Sequence, residues 1–198
     1  MPTYTKDFVS QHANRMRNAL KEFIGAPCHM LELGTFEGRS AAWFLDEILT
    51  HPESHLTTVD PYCYPANYTA RCALAARSKV DDVLDVAKRT AAANLAAYGD
   101  RVSMVCMESF HFLRACDNTY DAIYIDGNHH SAWVMEDAVL AWRLLKVKGI
   151  MMFDDYKWGK NKPARETPRL ATDTFIEMHK HDGLPLKRGK HVYIVKTC

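Results

Sequence analysis

No apolar run in these 198 residues approaches the roughly 20 that cross a bilayer, which excludes a membrane-spanning helix. The start, MPTYTKDFVSQHANRMR, lacks the apolar core of a secretory signal, so a cytoplasmic location is expected. Six cysteines (Cys28, Cys63, Cys72, Cys106, Cys116, Cys198) occur without any CxxC spacing, and Cys28 and Cys106 fall in strand-like apolar stretches. Reduced structural thiols are expected, rather than disulfides or a zinc site. Net charge is also scarce. A formal +1 is too little for a protein that wraps nucleic acid, and no membrane surface is implied as a partner. The charge is uneven, however: residues 157–198 hold ten Lys/Arg against four Asp/Glu, while the first 156 hold fifteen against twenty. That basic quarter is either a solvated surface or an attraction for an anionic substrate group.

One further absence concerns cofactors. The stretch LELGTFEGRSA spaces Gly34 and Gly38 as G-x-x-x-G, with Phe36 in the place of the middle glycine of the dinucleotide fingerprint. A nicotinamide or flavin cofactor is thereby disfavoured.

What is present is an ordinary globular composition, 47% hydrophobic and 25% charged, read as one domain over residues 1–198. Strand-like and helix-like stretches alternate. An amphipathic helix over about 5–23 precedes CHMLELG, the helix SAAWFLDEIL, the strand HLTTVD and an Ala-rich helix over about 78–98. RVSMVCM, the short helix SFHFLRA, YDAIYID, a helix over about 131–145 and IMMFDD follow. Five βα units imply an α/β, doubly wound parallel sheet with helices on both faces. A helix over about 168–181 and the hairpin LPLKRGKHVYIVK, turning at Arg188-Gly189, then add an antiparallel C-terminal strand. Two insertions, PYCYPANYTARC and YKWGKNKPARETP, break the rhythm, and the second reads as lid-like.

Six acids share one edge of this sheet. Glu32, Asp60, Glu108, Asp126, Asp154 and Asp155 all fall at or just past the C-terminal end of an expected strand, where open α/β sheets bind ligands. Crowded carboxylates repel unless cations or hydroxyls lie between them. Asp60, 28 residues beyond Glu32, is placed to accept hydrogen bonds from a ribose diol.

LELGTFEGRSA, the VD ending at Asp60, IDGNHH and FDD, in that order, resemble the class I S-adenosylmethionine-dependent methyltransferases. The similarity is greatest to the metal-dependent catechol O-methyltransferase-like group and the related sugar and macrolide-sugar O-methyltransferases, and it extends from about Cys28 to Tyr156. The resemblance implies a Rossmann-like, mostly parallel seven-stranded sheet and a cofactor, S-adenosyl-L-methionine. Glu32, Gly34, Thr35, Phe36, Gly38 and Ser40 would surround its methionine and ribose, with Asp60 on the ribose hydroxyls, Glu108 and Ser109 near the adenine, and Asp126 beside the methyl group. The same resemblance makes Asp126, Asp154 and Asp155 ligands of a divalent metal, for which hard oxygen donors suit Mg²⁺. His129 then stands where sugar-methylating relatives carry a histidine base and catechol enzymes a lysine. Imidazole, with a reference pKa of about 6.5, can accept the proton of an acceptor hydroxyl. Neighbouring His130 is the alternative, either as base or as cap of the next helix.

The implied activity is methyl transfer to a hydroxyl, with a sugar or glycan first and a small phenol or catechol as the alternative. A non-catalytic cofactor-binding module on the same fold is the remaining reading. The partner expected is therefore an acceptor hydroxyl compound, and a homo-oligomer is compatible with the composition.

Overall fold

A computed structural model describes residues 2–63 and 74–198, without the side chains of 74–81, 187 and 188. Most of the first insertion, 64–72, lies outside the described residues. The strands are β1 (His29–Leu33), β2 (His55–Val59), β3 (Val102–Val105), β4 (Tyr120–Ile125), β5 (Leu145–Phe153), β6 (Gly183–Arg188) and β7 (Val192–Lys196). They form one seven-stranded sheet in the order β3-β2-β1-β4-β5-β7-β6. The first five are parallel, and β7 runs antiparallel between β5 and β6. Among the described residues no helix is long and apolar enough to cross a membrane.

The two-residue alternation of the strands builds the core on both faces. Leu31, Leu33, Ile123, Ile125, Met151, Phe153 and Ile194 pack under α4 (Ser109–Ala115), α5 (Ser131–Trp142) and α6 (Pro168–Met178). Met30, Ala122, Tyr124, Ile150, Met152 and Tyr193 face the opposite layer, α1 (Ala13–Ala19), α2 (Arg39–Glu47) and α3 (Leu74–Leu95). Strands buried on both sides explain the near-continuous apolar runs in the sequence.

Several boundaries differ from expectation. The N-terminal helix shrinks to Ala13–Ala19 with a 3-10 turn at Lys21–Phe23. Residues before it are drawn into other bonds: Thr3 and Thr5 donate their amides to Asn94 and Glu37, and Asp7 accepts from the amides of Val9 and Ser10. The helix expected to reach 145 ends at Trp142, because Leu145 already belongs to β5. Cys28 is buried, but Cys106 lies just beyond β3 and is exposed, not in a buried strand.

The sheet's C-terminal edge is drawn together by backbone bonds. Gly34 donates to Val59, Asp60 to Val105, Asp126 to Leu33 and Asp154 to Ile125, at 2.8, 3.1, 2.8 and 3.0 Å respectively. Gly34 sits at φ 97°, and a Cβ there would lie 2.2 Å from the Asp126 carbonyl oxygen. Only glycine allows that approach. Gly34→Ala is expected to destabilise the protein by at least about 2 kcal/mol in urea denaturation; a loss within ~0.5 kcal/mol would contradict the close approach.

Candidate functional site

The loop between β1 and α2 is shaped by one carboxylate. Asp60 Oδ2 accepts the amides of Thr35 and Phe36, both at 2.9 Å, and its Oδ1 accepts the amide of Tyr62 at 2.8 Å. Phe36, at the missing glycine position, takes φ 46°, the left-handed conformation that glycine supplies elsewhere. Gly38, at φ 77°, opens α2. Asp60 therefore holds the backbone of this loop in place.

Below the loop, Glu32 is fully buried and anchored by hydroxyls. Thr35 bonds to Thr58, whose hydroxyl donates to Glu32 Oε2 at 2.6 Å. Burial pushes the Glu32 carboxyl up to about 7, and the hydroxyls of Ser40 and Thr58 offset that only in part. Among the described residues its buried Oε1 has no hydrogen-bond partner that meets ordinary geometry.

Asp126, Asp154 and Asp155 converge, with one oxygen from each within 4.8 Å of the others. Burial, then the negative charges of Asp154, Asp155 and Glu32, raise Asp126 well above the usual carboxylate range. Asp154 behaves oppositely. Burial would raise it, yet the hydrogen bond and charge of His191, with bonds from Tyr124 and the Asp155 amide, bring it down to about 2. Asp155 sits at φ 51° and its Oδ2 is 2.7 Å from His129 Nε2. A set of hard oxygens held together against repulsion fits a divalent cation such as Mg²⁺.

His129 is also flanked by the second insertion: the Trp158 ring lies 4.5 Å from it, centroid to centroid, and Lys162 Nζ lies 4.0 Å above Trp158. The Ser131 hydroxyl pins this segment to the start of α5, donating to the carbonyls of Ala164 and Thr167. His130 is the N-cap of α5, but its side chain makes no capping bond; its carbonyl accepts the amides of Trp133 and Val134.

Glu108 and Ser109, expected near the adenine, stand where β3 leads into α4. Glu108 opens α4, raised by burial and by Asp60, with His111 acting the other way. Ser109 donates its hydroxyl to Asp137 at 2.6 Å, a partner the sequence reading missed. Its signal was periodicity: Asp137 lies on the buried stripe of α5 with Val134, Ala138 and Ala141. Tyr124, His191 and Lys190, whose Nζ lies 4.0 Å from Asp155 Oδ1, were likewise missed, since strand pairing brings them to the acids.

A parallel sheet of this order, closed by an antiparallel hairpin and carrying a glycine loop and acids at one edge, is the Rossmann-like methyltransferase fold. Residues 31–156 match the methyltransferase-domain family, and the chain belongs to it. This bears out the class I S-adenosylmethionine-dependent methyltransferase resemblance at the level of family and fold. No curated protein matches the chain. Among solved structures it is similar to the O-methyltransferase TomG from Streptomyces achromogenes in complex with SAM, at 17% identity and TM-score 0.66, covering 95% of this chain and 80% of that one. The O-methyltransferase NovP is similar at 16% identity and TM-score 0.69, with 95% and 80% covered. MycE, from the mycinamycin biosynthetic pathway in complex with Mg, SAH and mycinamycin VI, is similar at 10% identity and TM-score 0.63; 97% of this chain covers 51% of MycE.

Asp137 supplies a test of the site's electrostatics. Burial pushes it up to about 7 against the Ser109 hydroxyl. The folded protein thus keeps a proton that the unfolded chain releases near pH 4, so this group's contribution to stability falls as pH rises from about 4 to about 7. Asp137→Asn is expected to reduce the stability lost between pH 5 and pH 8, measured in urea, by on the order of 2 kcal/mol. An unchanged difference would show that Asp137 ionises freely.

Proposed function

We propose that the protein is an S-adenosylmethionine-dependent O-methyltransferase that methylates a sugar or glycan hydroxyl with the help of a divalent cation, Mg²⁺ by its ligand set, and His129. The observation that carries this reading is the convergence of Asp126, Asp154 and Asp155 within 4.8 Å, beside the glycine loop, with His129 bonded to one of them at 2.7 Å. When bound, the cofactor supplies an electrophilic methyl on a sulfonium, and the cation lowers the pKa of the acceptor hydroxyl.

The chain's own residues supply position and proton transfer. Gly34 and Gly38 let the loop backbone approach the cofactor, while Glu32, with its buried Oε1, and the Asp60 carboxylate offer acceptors to its amino and hydroxyl groups. Glu108 lies toward the adenine. Asp126, Asp154 and Asp155 would hold the cation. Asp155, accepting Nε2–H of His129, fixes the ring so that Nδ1 carries the free lone pair. As the acceptor oxygen attacks, its proton passes to Nδ1, and Asp155 stabilises the resulting imidazolium. The cofactor would give up its methyl group with the bonding pair kept on sulfur, so that the products would be S-adenosylhomocysteine and the methyl ether.

The sugar acceptor is supported by Trp158 beside the base, since aromatic rings suit the apolar faces of sugars, and by MycE, whose complex contains Mg, SAH and mycinamycin VI. Lys157, Lys160, Lys162 and Arg165 make the same insertion basic, which favours an acceptor carrying negative charge.

Calorimetric titration with S-adenosylhomocysteine is expected to show micromolar binding, about −8 kcal/mol, in the presence of Mg²⁺. No binding with or without Mg²⁺ would sink the reading. With an acceptor found from a sugar panel, His129→Ala is expected to lower kcat about 100-fold or more at unchanged cofactor affinity. Wild-type turnover by that variant would move the base elsewhere, and full activity in excess chelator would remove the metal.

A further inference from the structure

Asp154 is anchored through both of its oxygens. Oδ1 accepts the Asp155 amide at 2.6 Å and lies 2.9 Å from His191 Nε2, while Oδ2 accepts the Tyr124 hydroxyl at 2.7 Å. A carboxylate has about four lone-pair sites, so these donors leave one, on Oδ2.

The donors arrive from different elements by register. Tyr124 is on β4, its ring edge-on to Phe44 of α2 at 5.3 Å. Phe153 of β5 pairs with Val192 of antiparallel β7, so the next step along that register sets Asp154 against His191. Tyr156 closes the same turn by donating its amide to the Lys190 carbonyl at 2.9 Å. His191 lies beyond residues 31–156, the stretch that matches the family.

His191 is poorly explained as packing alone. It is 3% exposed, its Nδ1 has no hydrogen-bond partner among the described residues, and its ring lies edge-on to His12 at 5.0 Å. An unsatisfied buried nitrogen is unfavourable, and an apolar side chain would avoid it. What the imidazole adds is the bond to Asp154.

We propose that His191 and Tyr124 are positioning residues of the cation site, holding the Asp154 carboxylate so that it presents a single oxygen to the space shared with Asp126 and Asp155. This rests on the reading of the three acids as ligands of a divalent cation. Neither residue would itself be a ligand, since the converging oxygens come from Asp126, Asp154 and Asp155. His191 would act through Asp154, and Tyr124 through Asp154 and the neighbouring Asp126, as outer partners of metal ligands do when they fix orientation.

The test is Mn²⁺ binding to the full chain, followed by the electron paramagnetic resonance of free Mn²⁺, with S-adenosylhomocysteine affinity measured alongside. His191→Leu is expected to weaken Mn²⁺ binding about tenfold or more, with cofactor affinity unchanged. His191→Gln, whose amide can still donate, should recover most of the loss. On an Asp154→Asn background His191→Leu should add nothing, because the two act as one unit. Tyr124→Phe, which removes a single oxygen, should weaken Mn²⁺ in the same direction and carries the test should His191→Leu not fold. Folded variants with wild-type Mn²⁺ affinity, or an equal loss on the Asp154→Asn background, would overturn the positioning role alone. A wild-type protein that binds S-adenosylhomocysteine but no Mn²⁺ would overturn the cation reading and this inference with it.

Discussion

Mutual repulsion among Asp126, Asp154 and Asp155 is the constraint around which this edge of the sheet is organised. Their oxygens meet within 4.8 Å, beside a fourth, buried acid at Glu32. Such a set persists only if the backbone forbids the carboxylates from separating and each receives compensation. The first condition is met by the bonds from Asp126 to Leu33 and from Asp154 to Ile125, which continue the parallel ladder past the strand ends. Gly34, without a Cβ, lets the loop press against Asp126.

Compensation is unequal, and the inequality divides the roles. Asp154 has three donors and is held ionised; Asp155 has His129 and, at 4.0 Å, Lys190; Asp126 has only the Tyr124 hydroxyl against burial and its neighbours' negative charge, and is pushed upward. Placing a cation among them would relieve the repulsion that the protein's own donors leave uncompensated. His129 then belongs to the same system as the acids, since its orientation depends on Asp155.

Much of this was legible in the sequence because it depends on local pattern. Alternation in HMLEL and YDAIYI gave strands buried on both faces, and the acids following them fell at the predicted edge. Phe36 in place of glycine was read as a defect in a dinucleotide motif; its left-handed backbone shows a different loop, held by Asp60. Tertiary bonds were not legible. Thr5 and Asp7 leave the expected N-terminal helix for partners far and near in the chain, and His191 meets Asp154 only because β7 inserts between β5 and β6. Ser109 carried no sign of its partner except an acid on the apolar stripe of α5.

The central claim is that cation and cofactor methyl share this edge. The most direct measurement is the paramagnetic effect of Mn²⁺ on the resonance of S-adenosylmethionine labelled with ¹³C in its methyl group, both bound to the wild-type protein. Strong broadening, abolished by Asp126→Asn while the cofactor stays bound, is the expected result. Mn²⁺ and cofactor bound together with the methyl resonance unaffected would place them apart and contradict the claim.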